Sequence, residues 1–243
     1  MKITFKIHLF YYLLAILCIM NGYFKDFILI SLIIIIHEFG HIIMALYYDW
    51  KIEKVVILPF GGITIFNEIL NKKIKEEFMI AIMGPIFQIL LFIIVNKITY
   101  DYKFNFYNNL LLIFNLMPIY PLDGSKILNL GLCKILPYKI SHKISIYFSY
   151  LILLIYILYI MYNPNLILFI AIIFLFFKVI VEHKKHKYIY NKFLFERYLY
   201  NLNFNKIKKI NNINNFYRDN KHIVKFNNQY VSEKNILKNL FDK

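Results

Sequence analysis

Cysteine is almost missing from this chain of 243 residues: it has two, Cys18 and Cys133, each in or beside an apolar segment. That excludes a disulfide framework and a cysteine-ligated zinc site. Acidic side chains are scarce as well, 14 Asp and Glu against 29 Lys and Arg, for a formal charge of +15. Much of the excess lies in the last quarter of the sequence. Such charge would suit a nucleic acid, but no nucleic-acid-binding motif accompanies it, and none is expected as a partner. Polar residues in general are few: 60% of the chain is hydrophobic and 19% aromatic. No ordinary soluble domain of this size has that composition. Several apolar runs approach the roughly 20 residues that span a bilayer, so the lipid bilayer is the expected surroundings of most of the chain.

The fold class expected is an all-α polytopic membrane protein. Apolar stretches predict about six transmembrane helices, over 7–23, 27–46, 78–95, 106–117, 145–161 and 166–181. The first begins after Lys2 and Lys6, as a signal peptide does, but 21–25 offers no small-x-small cleavage site, so it is read as an uncleaved helix. Residues 55–66 are apolar yet too short to span, and Pro59, Gly61 and Gly62 break them. β-branched residues on both sides of the Gly-Gly pair predict a membrane-dipping hairpin or re-entrant loop. Its edge is suited to pairing with an unwound substrate segment, or it is purely structural. Residues 1–182 form the expected membrane domain and 183–243 a small, basic, cytoplasmic α/β tail. In the tail, 222–226 and 230–231 read as strands around an Asn227-Asn228-Gln229 turn, and Ser232 with Glu233 opens an amphipathic helix. The opposite loops hold only Lys25, Lys97 and Lys103, which places both termini in the cytoplasm.

The chemistry concentrates in Ile36-His37-Glu38-Phe39-Gly40-His41, inside the second apolar run. Histidines four residues apart share a helix face, so both imidazoles reach one metal ion, and Glu38 reaches a water on it. This is the H-E-x-x-H pattern. Charged groups at mid-bilayer cost roughly 2.5–3.5 kcal/mol each on insertion scales, so such a cluster needs a purpose. Without a metal it would pack helices together or conduct protons. Asp123 lies on a segment broken by Pro118 and Pro121, beside Gly124, just after a short helix. A rigid carboxylate there is what a third ligand requires; the alternative is a cap for a helix starting near Ser125. Gln88, one turn after Gly84-Pro85, is a buried amide that bonds either substrate backbone or a neighbouring helix. His8, His142, His183, His186 and His222 have no ligand-like spacing and are expected at surfaces or interfaces.

Together these residues resemble the site-2 protease family of intramembrane zinc metalloproteases. His37-Glu38-Phe39-Gly40-His41 is similar to its H-E-x-G-H, and Asn115-Leu116-Met117-Pro118 with Leu122-Asp123-Gly124 to its N-x-x-P…L-D-G element. Leu58-Pro59-Phe60-Gly61-Gly62 and Ala81-Ile82-Met83-Gly84-Pro85 resemble its membrane loop and G-P helix. The likeness covers about residues 30–130; asparagine is usual where Gln88 stands. The chain looks most like the compact six-helix branch that includes the stage IV sporulation protease. It has no room for a PDZ insert, and 222–241 is at best one CBS-like half. The resemblance implies one Zn²⁺ per chain on His37, His41 and Asp123, with Glu38 carrying protons and Asn115 stabilising the oxyanion or orienting substrate. It implies substrate contacts from Gly61, Gly62 and Gln88. The expected partners are membrane-associated or transmembrane protein substrates, such as sigma-factor precursors, anti-sigma factors or signal-peptide remnants, and membrane regulatory proteins. A rival class is an ion- or proton-coupled transport or binding protein. A pseudoprotease that only sequesters clients is a third, against which the intact Glu38 argues.

Overall fold

A computed structural model describes residues 4–58, 61–164, 166–200, 202–204, 206–226 and 229–242. The chain divides into two compact units, one formed by Met1–Glu68 and Phe78–Met117, the other by Ile69–Glu77 and Pro118–Lys243.

The first unit holds β1 (Thr4–Ile7), α1 (Leu9–Met20), α2 (Phe24–Tyr47), β2 (Ile52–Leu58), β3 (Gly61–Phe66), all but the first turn of α3 (Ile74–Ile98), and α4 (Tyr102–Leu116). On α2 the buried positions Ile33, Ile34, His37, Glu38, Gly40, His41 and Ala45 recur every three or four residues, which makes one inward stripe. The apolar end of that stripe, Ile33 and Ile34, packs on Phe104 and Leu111 of α4. Asp101 caps α4 by accepting hydrogen bonds from the Lys103 and Phe104 amides at 2.8 and 3.3 Å. The expected hairpin is present: β2 and β3 run antiparallel with Leu58 opposite Gly61. Pro59 and Phe60, at its tip, lie outside the described residues.

The expected first helix over 7–23 is corrected. Thr4–Ile7 is a strand, parallel to β2, and α1 has 12 residues. At 1.5 Å per residue α1 is about 18 Å long. Among the described residues three helices are long and apolar enough to cross a membrane, Phe24–Tyr47, Ile74–Ile98 and Tyr138–Tyr162.

The second unit holds α5 (Asp123–Cys133), α6 (Tyr138–Tyr162), α7 (Leu166–Leu199), β4 (Ile207–Ile210), a 3-10 turn (Ile213–Asn215), β5 (Lys221–Phe226), β6 (Gln229–Ser232) and α8 (Glu233–Phe241). α6 starts well before the expected residue 145, because Tyr138, Ser141, His142, Ser145, Ile146, Ser149 and Leu153 make one buried face. α7 runs on past the expected end at 181, because Tyr190, Phe193 and Leu194 give its polar half an apolar stripe of its own. In the tail β4 joins β5 in parallel, a strand the sequence pattern did not signal, and β5 pairs antiparallel with β6. Asn227 and Asn228 of the expected turn lie outside the described residues. Ser232 caps α8 as anticipated, accepting the Asn235 amide at 3.4 Å.

Two histidines expected at surfaces or interfaces are buried at interfaces. His142 packs between α6 and α7, and His222 is enclosed in the tail, where its Nε2 accepts the Tyr217 amide at 2.9 Å and its Nδ1–H faces Glu233 Oε2 at 3.1 Å. Burial is tolerable there because both ring nitrogens have partners.

Candidate metal centre

The inward stripe of α2 presents His37, Glu38 and His41 together, all buried. The Gln88 amide donates from Nε2 to the Asn108 carbonyl at 2.8 Å, which turns its Oε1 toward His37 Nδ1 at 3.0 Å. An amide oxygen only accepts, so His37 carries its proton on Nδ1. His41 Nδ1 lies 2.7 Å from the Ile80 carbonyl and is protonated for the same reason. In the neutral rings that bind metals both Nε2 atoms therefore bear lone pairs, and they face each other at 3.2 Å. Two lone pairs at that distance repel unless a cation takes them both. A tetrahedral zinc with Zn–N bonds of about 2.0–2.1 Å would hold its nitrogens about 3.3 Å apart. The pair fits zinc, with the partnered second nitrogens that ligating histidines show.

α3 closes on this pair at Gly84, where a Cβ would stand 2.8 Å from His37 Nε2. A side chain there would fill the space a metal needs. The hairpin closes on Glu38. A Cβ on Gly62 would lie 2.6 Å from Glu38 Oε1, and Thr64 donates to Glu38 Oε2 at 2.8 Å. Asn115, buried near the end of α4, lies beside Gly61, whose added Cβ would be 3.2 Å from its Oδ1. The first unit thus gathers His37, His41, Glu38, Gln88, Gly61, Gly62 and Asn115.

Asp123 belongs to the second unit, where it is the buried first residue of α5, with Oδ1 3.2 Å from Lys126 Nζ. The cap position is taken by Leu122, so Asp123 is not the helix cap.

Sequence reading missed Thr64 and the Ile80 carbonyl. Thr64 was findable: it lies two residues after Gly62, hence on the same face of a strand, and Gly62 was already marked. The Ile80 carbonyl has no side-chain signature.

Comparison with known proteins agrees with the site. The description "Peptidase family M50" matches residues 26–102, which contain the histidine pair. Stage IV sporulation protein FB of Bacillus subtilis is 34% identical over 203 residues, covering 79% of this chain and 70% of that protein. A zinc metalloprotease of Methanocaldococcus jannaschii is 32% identical over 162 residues, 62% of this chain and 47% of its own length. The solved site-2 protease from the same organism superposes with a TM-score of 0.59 at 31% identity, covering 75% of this chain and 91% of that one. The chain belongs to peptidase family M50, and it is a membrane-embedded, zinc-dependent protease of the site-2 type.

Proposed function

We propose that His37, His41 and Asp123 hold the zinc, and that Glu38 moves the protons of peptide hydrolysis at membrane depth. The observation that carries this reading is the pair of Nε2 lone pairs fixed 3.2 Å apart, with both Nδ1 atoms committed to acceptors. Bound zinc supplies Lewis acidity and lowers the pKa of water from 15.7 to about 7. Glu38, aimed by Thr64, accepts the proton of the attacking water and returns it to the leaving amine. The Asn115 amide donates to the developing oxyanion or orients the substrate. The Gly61–Gly62 edge of β3 receives an extended substrate segment as an added strand, since a helix hides its carbonyls in its own hydrogen bonds. Gln88 acts on substrate through His37, whose ring it holds.

The proposal extends to topology. α2, α3 and α6 cross the bilayer, and with the apolar start of α7 and with α1 and α4, which are shorter than the hydrocarbon core and cross where it thins around them, they make six spans; residues 1–182 form the membrane domain and 183–243 a cytoplasmic tail. The lysine asymmetry supports cytoplasmic termini. Substrates are membrane-associated proteins. By the name of its Bacillus subtilis relative, the process is sporulation; a sigma-factor precursor as substrate and membrane proteins as regulators follow from the family resemblance alone.

Zinc per chain in detergent-purified protein tests the ligand set. About one zinc in the parent is expected, lost or much weakened in His41→Ala and Asp123→Ala. Glu38→Gln should keep the metal and lose turnover. A well-folded parent without zinc, or Asp123→Ala with parent occupancy, would overturn the reading.

A further inference from the structure

The second unit contains a seat for the segment that carries Asp123. Four polar residues on the buried face of α6 are nearly inaccessible: Ser141, His142, Ser145 and Ser149. Ser141 and Ser145 bond carbonyls one turn back on the same chain, Pro137 at 3.1 Å and Ser141 at 3.0 Å, which accounts for them locally. His142 and Ser149 reach beyond the helix. The Ser149 hydroxyl accepts the Tyr120 amide at 3.2 Å, and its one proton is shared between the Ser145 carbonyl one turn back at 3.0 Å and the Pro118 carbonyl at 3.2 Å. His142 presents its ring edge-on to Tyr120, with centroids 5.7 Å apart and planes at 80°. Both residues thus hold 118–120, and Asp123 follows three residues later, after a turn closed by the Leu122 amide on the Ile119 carbonyl at 2.8 Å.

The His142 ring cannot swing away. Its Nε2 is 3.0 Å from Glu182 Oε1 and its Nδ1 is 2.7 Å from His186 Nδ1, both on α7. The second distance is that of a proton shared between nitrogens, shorter than the roughly 3.3 Å a tetrahedral metal imposes. The chain Glu182–His142–His186 is therefore a run of hydrogen bonds and no second metal site.

We infer that Ser149 and His142 are positioning residues for the zinc site: they fix the backbone of 118–120 and thereby the placement of the Asp123 carboxylate. The inference rests on Asp123 being a ligand. Partners that orient a metal ligand typically change metal affinity 10–100-fold when removed.

The test is zinc affinity of the full chain in detergent micelles at neutral pH, read by competition with a chromophoric chelator. Hydrogen exchange of the 118–125 amides in metal-free protein and thermal unfolding are measured beside it. Ser149→Ala is expected to bind zinc about tenfold more weakly and to exchange the Tyr120 amide faster, while Ser149→Thr, which restores the hydroxyl, stays within about threefold of the parent. His142→Phe keeps an aromatic edge on Tyr120 but loses both hydrogen bonds, and is expected to weaken zinc about tenfold. Should it not fold, Glu182→Gln, at a partly exposed site, removes the charge that orients the ring and is expected to weaken zinc as well. Parent affinity in a folded Ser149 or His142 variant, with Asp123→Ala losing zinc in parallel, overturns the assignment for that residue alone. Parent affinity in Asp123→Ala overturns the ligand reading and this inference together.

Discussion

Thr64 donates its hydroxyl to Glu38 at 2.8 Å from a strand, and the buried carboxylate has that donor to fix its rotamer. A hydrogen bond to a charged acceptor contributes about 1.5–3 kcal/mol, which corresponds to roughly tenfold to a hundredfold in rate. Thr64→Val is isosteric and removes only the donor. With fluorescein-labelled casein in detergent micelles as probe, it is expected to lower kcat by that factor with KM and zinc content unchanged, and Thr64→Ser should recover most of the loss. A changed KM at parent kcat would assign Thr64 to substrate binding instead. At this scale the sequence spoke clearly where a side chain is the group proposed to do the chemistry. His37, Glu38, His41 and Asp123 stand out because ionisable groups are so few in apolar surroundings. The groups that aim them were less visible. Ile80 acts through its main-chain oxygen, and Gln88 is committed to His37 by a bond to Asn108, 20 residues away.

Secondary structure was legible where its pattern is local. The long apolar helices α2 and α3 and the β2–β3 hairpin follow from runs and turn signals within a dozen or two residues. β1 was not, because its pairing partner is remote: Thr4 lies opposite Lys54. A four-residue strand next to an apolar helix carries no signal of its own, and tertiary pairing decides it. The extension of α7 past 181 likewise depends on what its far half packs against. That half carries a titrating group. Burial first, then the charges of His142, Lys139, His183 and Lys143, push the His186 imidazole from 6.5 down to about 4. Glu182, on His142, is the anion of the cluster. Between those values the unfolded chain binds the proton and the native one does not, so stability is lost as pH falls from about 6.5 to about 4. The thermal midpoint of the parent should decline through that window, and that of His186→Asn should decline less. Equal slopes would remove His186 as the cause.

For the whole molecule, composition alone announced a membrane protein. It did not announce that the tail and the loop before α3 form one body. Arg197, buried on α7, donates to Asn71 at 2.8 Å, to Glu233 at 2.7 Å, and to the carbonyls of Tyr217 and Arg218 at 2.7 and 2.6 Å. Arg218 in turn pairs with Glu77 at 2.7 Å. Arg197 and Asn71 alone lie 126 residues apart in sequence, so no local pattern points to this network. Burial would raise the Glu233 carboxyl, but the His222 hydrogen bond and the Arg197 charge outweigh it and hold the group below its ordinary value. Arg197→Leu would strand that carboxylate without its partner. Removing one side of a buried pair costs about 3–5 kcal/mol, and hydrogen exchange over β4, β5 and α8 should rise accordingly. Unchanged protection there would mean that the tail is held by its apolar contacts alone.

The sheet of the first unit has the order β1-β2-β3, so one side of β3 is bonded to β2 and the other, among the described residues, to no strand. That open side belongs to the strand whose Thr64 meets Glu38, partway along a helix long and apolar enough to cross the membrane. Free amides and carbonyls cannot border hydrocarbon; at such depth they must face protein or a water-filled cavity. Hydrolysis consumes one water per bond in a place where lipid excludes water, and a sheet edge with no strand beside it offers main-chain donors and acceptors along which water can reach the site.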